Sequence, residues 1–444
     1  MKLPVMVLLV GAGFLPLRST LGTTYLVGGP GSQFEEIQPA IDAAKDGDVI
    51  LVRPLKRYQG FTLTKGITVR SSQGRFTLTD DADIEILLTA KQQVARLAGV
   101  EAIDNHTFLH VHDCAGPVVI DDVLVAESVY SFTSMGMLIS HCDDVHLTQV
   151  NLAVTGDYLF GYCPFFIWAS RVQLVDVDCR GGDGWSDPYF DGNPTGSAAG
   201  AGLACVYGSS VVLAAPILIG GTGGKGGDGC GSLDPHGGKG GDGLVVDGSS
   251  QVLVLGTEQN AILGGKGGDG QASSDGCPNT GGDGGAGVVG AATVSGVALA
   301  GGAGGSGQGS GGQDGNPGPP VQGSVTFIDP PYPVLQLTGD LHPGSTAILT
   351  LRGEPGAAVV LLLASTAGWL DLPPGLAGAP LEAIPGGAFL VLPVGGLPAS
   401  GALTFAAVIP GGATLRGAAF TVQAVVFGAG VPMVSNGATR IIGE

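Results

Sequence analysis

Positive charge is scarce in this chain: 19 Lys and Arg stand against 38 Asp and Glu in 444 residues, for a formal net charge of −19. That balance disfavours a nucleic acid or an anionic membrane surface as partner. From Leu97 to Ser170 there is no Lys or Arg at all, so a polyuronate would meet acids with no local clamp for its carboxylates. Charged residues amount to 13% and aromatic residues to 6%. Beyond the N-terminus no apolar run is long enough to span a membrane; Ala357 to Trp369 comes nearest, and Pro373-Pro374 ends it early. The seven cysteines form no CxxC and no Cys/His group with zinc spacing. Their odd number leaves at least one unpaired. Cys230 and Cys277, both in glycine-rich loops, are the candidate disulfide, whereas Cys114 and Cys142 read as small buried residues stacked at equivalent turns.

What is abundant is glycine, 81 of 444 residues, in a chain that is still 44% hydrophobic. One conventional domain holds far less glycine, and wholesale disorder does not fit the apolar content. A packed core carrying glycine-rich insertions reconciles the two. Met1 to Gly22 has the form of an export signal, with Lys2 at the start, an apolar Leu3 to Leu17, and small residues at Thr20-Leu21-Gly22. The expected location is secreted or cell-surface, where disulfides persist.

Internal repeats carry most of the information. Between Ile86 and Leu299 a short apolar strand, a small polar turn and a second apolar strand recur. Leu109-His110-Val111, His112-Asp113-Cys114 and Val118-Val119-Ile120 make one unit; Leu138-Ile139, Ser140-His141-Cys142 and Val145-His146-Leu147 make the next. The last apolar residues fall at Leu97, Ile120, Leu147, Leu174, Leu213 and Leu253, a step that begins in the twenties and lengthens to about 40 residues. Such a period, with several short strands per unit, predicts the coils of a parallel β-helix, where stacking builds the core no coil can build alone. A β-sandwich would want two-residue hairpin turns instead.

The N-terminal segment supports this. Phe34, Ile37, Ala40, Ile41 and Ala44 fall at helical spacing, Gly47-Asp48 stops the run, and Val49 to Val52 reads as a strand. With Tyr58-Gln59-Gly60 following, the stretch from Phe34 to Val52 resembles the opening of secreted bacterial right-handed β-helix proteins of the pectin-lyase-like superfamily. The resemblance implies a helix capping the first coil. Where that family has Pro-Gly-x-Tyr, this chain has Pro54-Leu55-Lys56-Arg57-Tyr58, so a wider first turn is expected.

The lengthened repeats coincide with glycine. Gly237 to Gly243 and Gly264 to Gly270 both read GGKGGDG, Gly281 to Gly287 reads GGDGGAG, and Gly301 to Gly307 reads GGAGGSG. Gly-Gly-x triplets match the three residues per turn of a polyproline-II helix and put each x on one edge. They resemble the PGRS-type domains of other bacterial surface proteins, which implies ordered arms packed through their backbones; a flexible linker would not recur once per coil. Gly237 to Val245 also fits a calcium nonapeptide pattern, and stacked Asp228, Asp242 and Asp269 are the candidate calcium ligands, with Lys225, Lys239 and Lys266 beside them as competing ion-pair partners.

Enzymes of the resembled superfamily place acids on one outer sheet, which makes Asp122, Asp144, His146 and Asp176 candidate catalytic residues. Asp122, Gln149 and Asp176 each lie two positions after an apolar marker, so they should form one column. Two coils separate Asp122 from Asp176, roughly 9.6 Å of backbone, within reach of the about 6.5–9.5 Å between the carboxyls of an inverting glycosidase. A catalytic column requires an open cleft above it. His110, His112, His141 and His146 read as surface residues, the first two pointing the same way with no evident third ligand.

From Val334 onward, runs at Val334 to Leu337, Thr346 to Leu351, Ala357 to Leu363, Phe389 to Leu392, Leu403 to Val408 and Phe420 to Phe427 predict a sandwich of about seven strands. The expected organisation is a signal at 1–22, a capped right-handed β-helix at 23–330 with glycine-rich insertions at about 181–318, and a β-sandwich at 331–444. The expected function is an exported, non-enzymatic structural or adhesive protein. An enzyme acting on a neutral polysaccharide, by hydrolysis or lysis, is the alternative, and a calcium-binding surface-layer component the second. No cofactor other than calcium is implied, and neutral polysaccharide or cell-surface components are the partners considered.

Overall fold

The computed structural model describes residues 22–79, 82–103, 109–128, 136–155, 157–158, 163–186, 196–226, 236–271, 278–309, 311–339, 341–365, 369–382, 389–409 and 417–443. Short strands of successive coils pair in parallel and in register, giving, among the described residues, a β-helix of 23 strands in one continuous assembly. Each central coil runs through three ladders. The open ladder contains Leu109–His112, Met137–Ser140 and Phe165–Trp168. The docked ladder follows, with residues 118–121, 145–148 and 171–175 side by side. The arm ladder comes third, with Val123 beside Val150 and Val150 beside Val177, and it feeds the glycine insertions.

Alternation decides what each strand buries. Leu97, Ile120, Leu147, Leu174, Leu213 and Val254 lie in one register, point inward and are almost fully buried. Each contributes about 1.5–3 kcal/mol of apolar burial once its neighbours are stacked above and below. The marker expected at Leu253 is displaced by one residue: Val254 pairs with Leu213, and Leu253 pairs with Val212 on the outer face. The step between those coils is therefore one residue longer than the apolar run alone suggests.

The corners have their own columns. Asp113, His141, Ala169 and Tyr207 turn from the open to the docked ladder, and Gly99, Asp122, Gln149, Asp176 and Ala215 turn from the docked to the arm ladder, all with φ between 46° and 69°. A left-handed backbone costs an L-residue about 1–2 kcal/mol, least for Gly, Asn and Asp. Asp at three of these corners, Asp113, Asp122 and Asp176, thus has a backbone reason.

The helix Ile37–Ala43 buries Ile37, Ala40 and Ile41 against the first coil and covers an edge that would otherwise template pairing. The glycine arms are ordered. Consecutive glycines of a pair donate to different neighbouring legs, as Gly240 to Asp283 and Gly241 to Gly221, then Gly267 to Ala303 and Gly268 to Gly238. Each Gly-Gly pair satisfies two neighbours at once, and the third residue points out.

The C-terminal sandwich has a three-stranded sheet of Val334–Thr338, Thr346–Arg352 and Ala402–Val408, facing a six-stranded one built on Ala358–Ala364, Phe389–Gly396 and Ala419–Phe427. Its core includes Leu335, Leu349, Leu351, Leu361, Phe405, Val422 and Val426. It lies against the side of the solenoid: Ala98 and Val119 pack with Ala419 and Ile441, and Val175, Val212, Ala214 and Leu255 pack with Val334 and Ala379.

Candidate functional site

Register places Asp122, Gln149 and Asp176 at equivalent corners of consecutive coils. Each of the two acids is engaged by a partner of its own. Asp122 accepts hydrogen bonds from Arg75, at 2.9 Å from Nε and 2.5 Å from the terminal nitrogen. Asp176 accepts one from Gln336 of the sandwich at 2.8 Å. Burial raises the Asp176 carboxyl above its usual range, against the Gln336 hydrogen bond and the charge of Arg440. The cations missing from 97–170 are supplied from a distance, by Arg75 in an earlier coil and by Arg440 near the C-terminus.

His146, expected at the surface, lies instead with the acids Asp121 and Asp144 in the seam beneath the sandwich. Asp121 is 2% exposed and ion-paired with Arg440 at 2.8 Å. His146, 1% exposed, has Nε2 2.7 Å from Asp144 Oδ1 and Nδ1 3.0 Å from Gln173 Oε1 and 3.5 Å from Glu382 Oε2. Thr148 donates to the Thr439 carbonyl and Gln173 to that of Gly437. Desolvation opposes a charge on His146, yet Asp144 and Glu382 together hold its pKa well above the ordinary value. Burial pushes Glu382 up, partly offset by its pairing with His146. Isolated charges would not persist at this depth, so the groups are mutually paired. Sequence reading missed the covering because the partners lie hundreds of residues away.

Beside the seam is an open groove of about 380 Å³. It is lined on the solenoid by Asp143, Arg171 and Ser209, among others, and on the sandwich side by Trp369 and Asp371. Next in sequence to two lining residues, Ala169 and Gly208, stand Trp168 and Tyr207. These are 39% and 62% exposed, and their rings stack at 4.2 Å with 13° between planes. The groove joins hydroxyls, one cation, two acids and nearby aromatic surface.

On the open ladder, away from the seam, Glu85, His110 and His112 bring their ligand atoms within 4.8 Å of one another. Here the sequence expectation is corrected. His110 and His112 share one face of Leu109–His112, and the third group is Glu85, paired with His110 through the register of the preceding coil. The signal was present: Ile84-Glu85-Ile86 and Leu109-His110-Val111 show the same alternation one coil apart.

In the arms, Asp242 accepts from the Ala286 N–H and pairs with Lys239, and Asp269 accepts from the Ser306 N–H and pairs with Lys266. Asp228, Cys230 and Cys277 lie outside the described residues, as does the segment 1–21. The described cysteines, Cys114, Cys142, Cys163, Cys179 and Cys205, are buried free thiols; Cys114 and Cys142 follow equivalent left-handed corners at Asp113 and His141. Among the described residues no helix is long and apolar enough to cross a membrane.

The architecture is that of a capped parallel β-helix with a laterally docked β-sandwich. No protein-family model matches the chain, and no curated protein matches it. Among solved structures it is similar to the enzymatically active domain of tailspike protein 4 of Bacteriophage CBA120, at 12% identity and a TM-score of 0.20, over 89% of this chain. The chain spans 64% of that tailspike domain's length.

Proposed function

We propose that the protein is an exported, non-enzymatic structural or adhesive component of the cell surface or extracellular space, related to the pectin-lyase-like β-helices and carrying PGRS-like glycine arms. The observation that carries this reading is the occupied corner column. Asp122 is tied to Arg75 and Asp176 to Gln336, with the sandwich bonded to the adjoining ladder. Asp122 is already paired with a cation and Asp176 is bonded to a sandwich side chain, so neither carboxyl is free to serve as the acid or base of a hydrolase.

The adhesive part of the reading rests on the groove and its aromatic flank. Neutral polysaccharides are recognised by hydroxyl-rich grooves with aromatic rings for their apolar faces, and Trp369, Trp168 and Tyr207 supply such rings beside Ser209 and Arg171. The test is a panel of soluble and insoluble neutral polysaccharides, scored for retention and for release of new chain ends. Retention without turnover is expected, falling about tenfold, the equivalent of roughly 1.4 kcal/mol, in Trp369→Ala. Turnover lost in Asp122→Ala and Asp176→Ala would return the enzyme reading. Absence of retention across the panel would remove the adhesive one.

A further inference from the structure

We propose that Glu85, His110 and His112 bind one divalent transition-metal ion of the zinc type, held on the open ladder by donors from two successive coils. Neither the corner column nor the groove takes part, so the site is independent of the reading above.

The backbone fixes the donors before any ion arrives. Ile84, Glu85 and Ile86 pair with Leu109, His110 and Val111, so Glu85 and His110 are neighbours across one strand spacing, about 4.8 Å. His112 lies two residues beyond His110 on the same face, and the two rings stack at 4.2 Å. All three donors already lie within 4.8 Å of one another. Around a tetrahedral zinc with bonds of about 2.1 Å, donors are about 3.4 Å apart. The Glu85–His112 pair, at 2.8 Å, is already inside this spacing, and the remaining donors lie within 4.8 Å, near enough for side-chain adjustment to seat an ion.

Each donor is also held from behind. His112 Nδ1 lies 3.0 Å from Asp113 Oδ2, while its Nε2 faces Glu85 Oε1 at 2.8 Å. This is the carboxylate–histidine arrangement that orients an imidazole toward a metal. Thr62 donates to the other oxygen of Glu85 at 3.3 Å, and Ser140 Oγ lies 3.3 Å from His110 Nε2. Such outer partners set ring orientation and commonly change metal affinity 10–100-fold.

The donor set selects the class of ion. Two imidazoles and one carboxylate suit zinc, nickel, cobalt or copper, whereas calcium and magnesium take oxygen ligands almost entirely. Electrostatics favour a cation as well, with Asp113 adjoining the site and no Lys or Arg between Leu97 and Ser170. All three side chains are half-buried. Three protein ligands at an accessible position leave a coordination site for water or an external donor.

The experiment uses the full chain, purified with a tag free of histidine and stripped with chelator. Zinc is titrated in competition with a chromogenic chelator, and cobalt is added separately as a spectroscopic substitute. The expected result is one ion per chain and a visible cobalt band of low-coordinate type. Affinity should fall at least tenfold in Glu85→Gln, more in His110→Ala and His112→Ala, and about tenfold in Asp113→Asn; His342→Ala, on the sandwich, should leave it unchanged. Circular dichroism confirms that each variant is folded. A wild-type chain with no cobalt band and no zinc competition overturns the proposal, as does binding that survives Glu85→Gln and Asp113→Asn unchanged.

Discussion

Arg440 Nε lies 2.8 and 2.9 Å from the two carboxylate oxygens of Asp121, joining the last strand to the docked ladder across 319 residues. Arg440 also donates to the Leu337 carbonyl, and the Ile441 N–H donates to the same Asp121 carboxylate. Burial raises the Asp121 carboxyl, against the charge of Arg440, so removing the arginine leaves a buried acid with less to hold it. Arg440→Ala should therefore cost about 3–5 kcal/mol, and Asp121→Ala a similar amount. Replacing both with apolar residues of matching volume should cost much less than the sum. Denaturant unfolding of the two single variants and the double variant measures this; additive losses would show that the pair does not act as a unit.

His146 makes the seam sensitive to pH. Its folded pKa is well above 6.5, the unfolded value. Between those two values the native state holds a proton that the unfolded state has released, so stability falls as pH rises. The stabilisation is fully present below about pH 6.5 and is lost through the folded pKa. Glu382 acts in the same direction, because its raised pKa leaves the native state with more protons above 4.5. Asp144 and Gln173 face the imidazole from the solenoid and Glu382 from the sandwich. The wild-type chain should lose up to about 1.4 kcal/mol per pH unit for each differential proton. His146→Gln should flatten that slope. Melting curves from mildly acid to mildly alkaline pH decide it, and parallel slopes in the two proteins would rule out His146 as the source.

Much of this fold was legible. Inward positions repeat at Leu97, Ile120, Leu147 and Leu174 because parallel coils must stack like on like, and a repeat of burial is a repeat of sequence. The six strand runs read in the sandwich coincide with observed strands for a similar reason, since alternation and Gly/Pro turns are local. What escaped was set by distant partners. His146 and Asp121 carry no local mark of burial, because what covers them is Glu382 and Arg440. Glu85 escaped because the strand Leu109–His112 does not itself hold the third donor; the neighbour that matters is one coil back.

The corner column makes a prediction that separates backbone strain from chemistry. Gln149 sits at φ 55° between Asp122 at 56° and Asp176 at 53°. A glutamine gains nothing from that conformation, and glycine adopts it freely. Gln149→Gly should be neutral or stabilising by up to about 1 kcal/mol, the relief partly offset by the greater freedom of the unfolded chain. Gln149→Ile, branched at Cβ, should lose about 1–2 kcal/mol. If both substitutions shift the unfolding midpoint alike, the corner geometry is not what selects the residue.

The glycine arms are ordered through contacts that admit no side chain, and this is testable at single positions. A Cβ at Gly238 would sit 1.8 Å from the Ser197 carbonyl oxygen, and one at Gly268 would sit 1.9 Å from that of Gly224. At Gly248, a solenoid turn, a Cβ would meet nothing within 4 Å. The three positions share a residue type and differ in what surrounds it. Gly238→Ala and Gly268→Ala must push whole legs apart, at the cost of the Gly238-to-Gly224 and Gly268-to-Gly238 hydrogen bonds, and should destabilise by about 1–3 kcal/mol each. Gly248→Ala should stay within about 0.5 kcal/mol of the parent. Limited proteolysis reads the same difference locally, with cleavage rising within 220–287 in the first two variants and unchanged in the third. Equal tolerance of alanine at all three would mean the arms are not packed, since a free strand of glycines has no contact for a methyl group to violate.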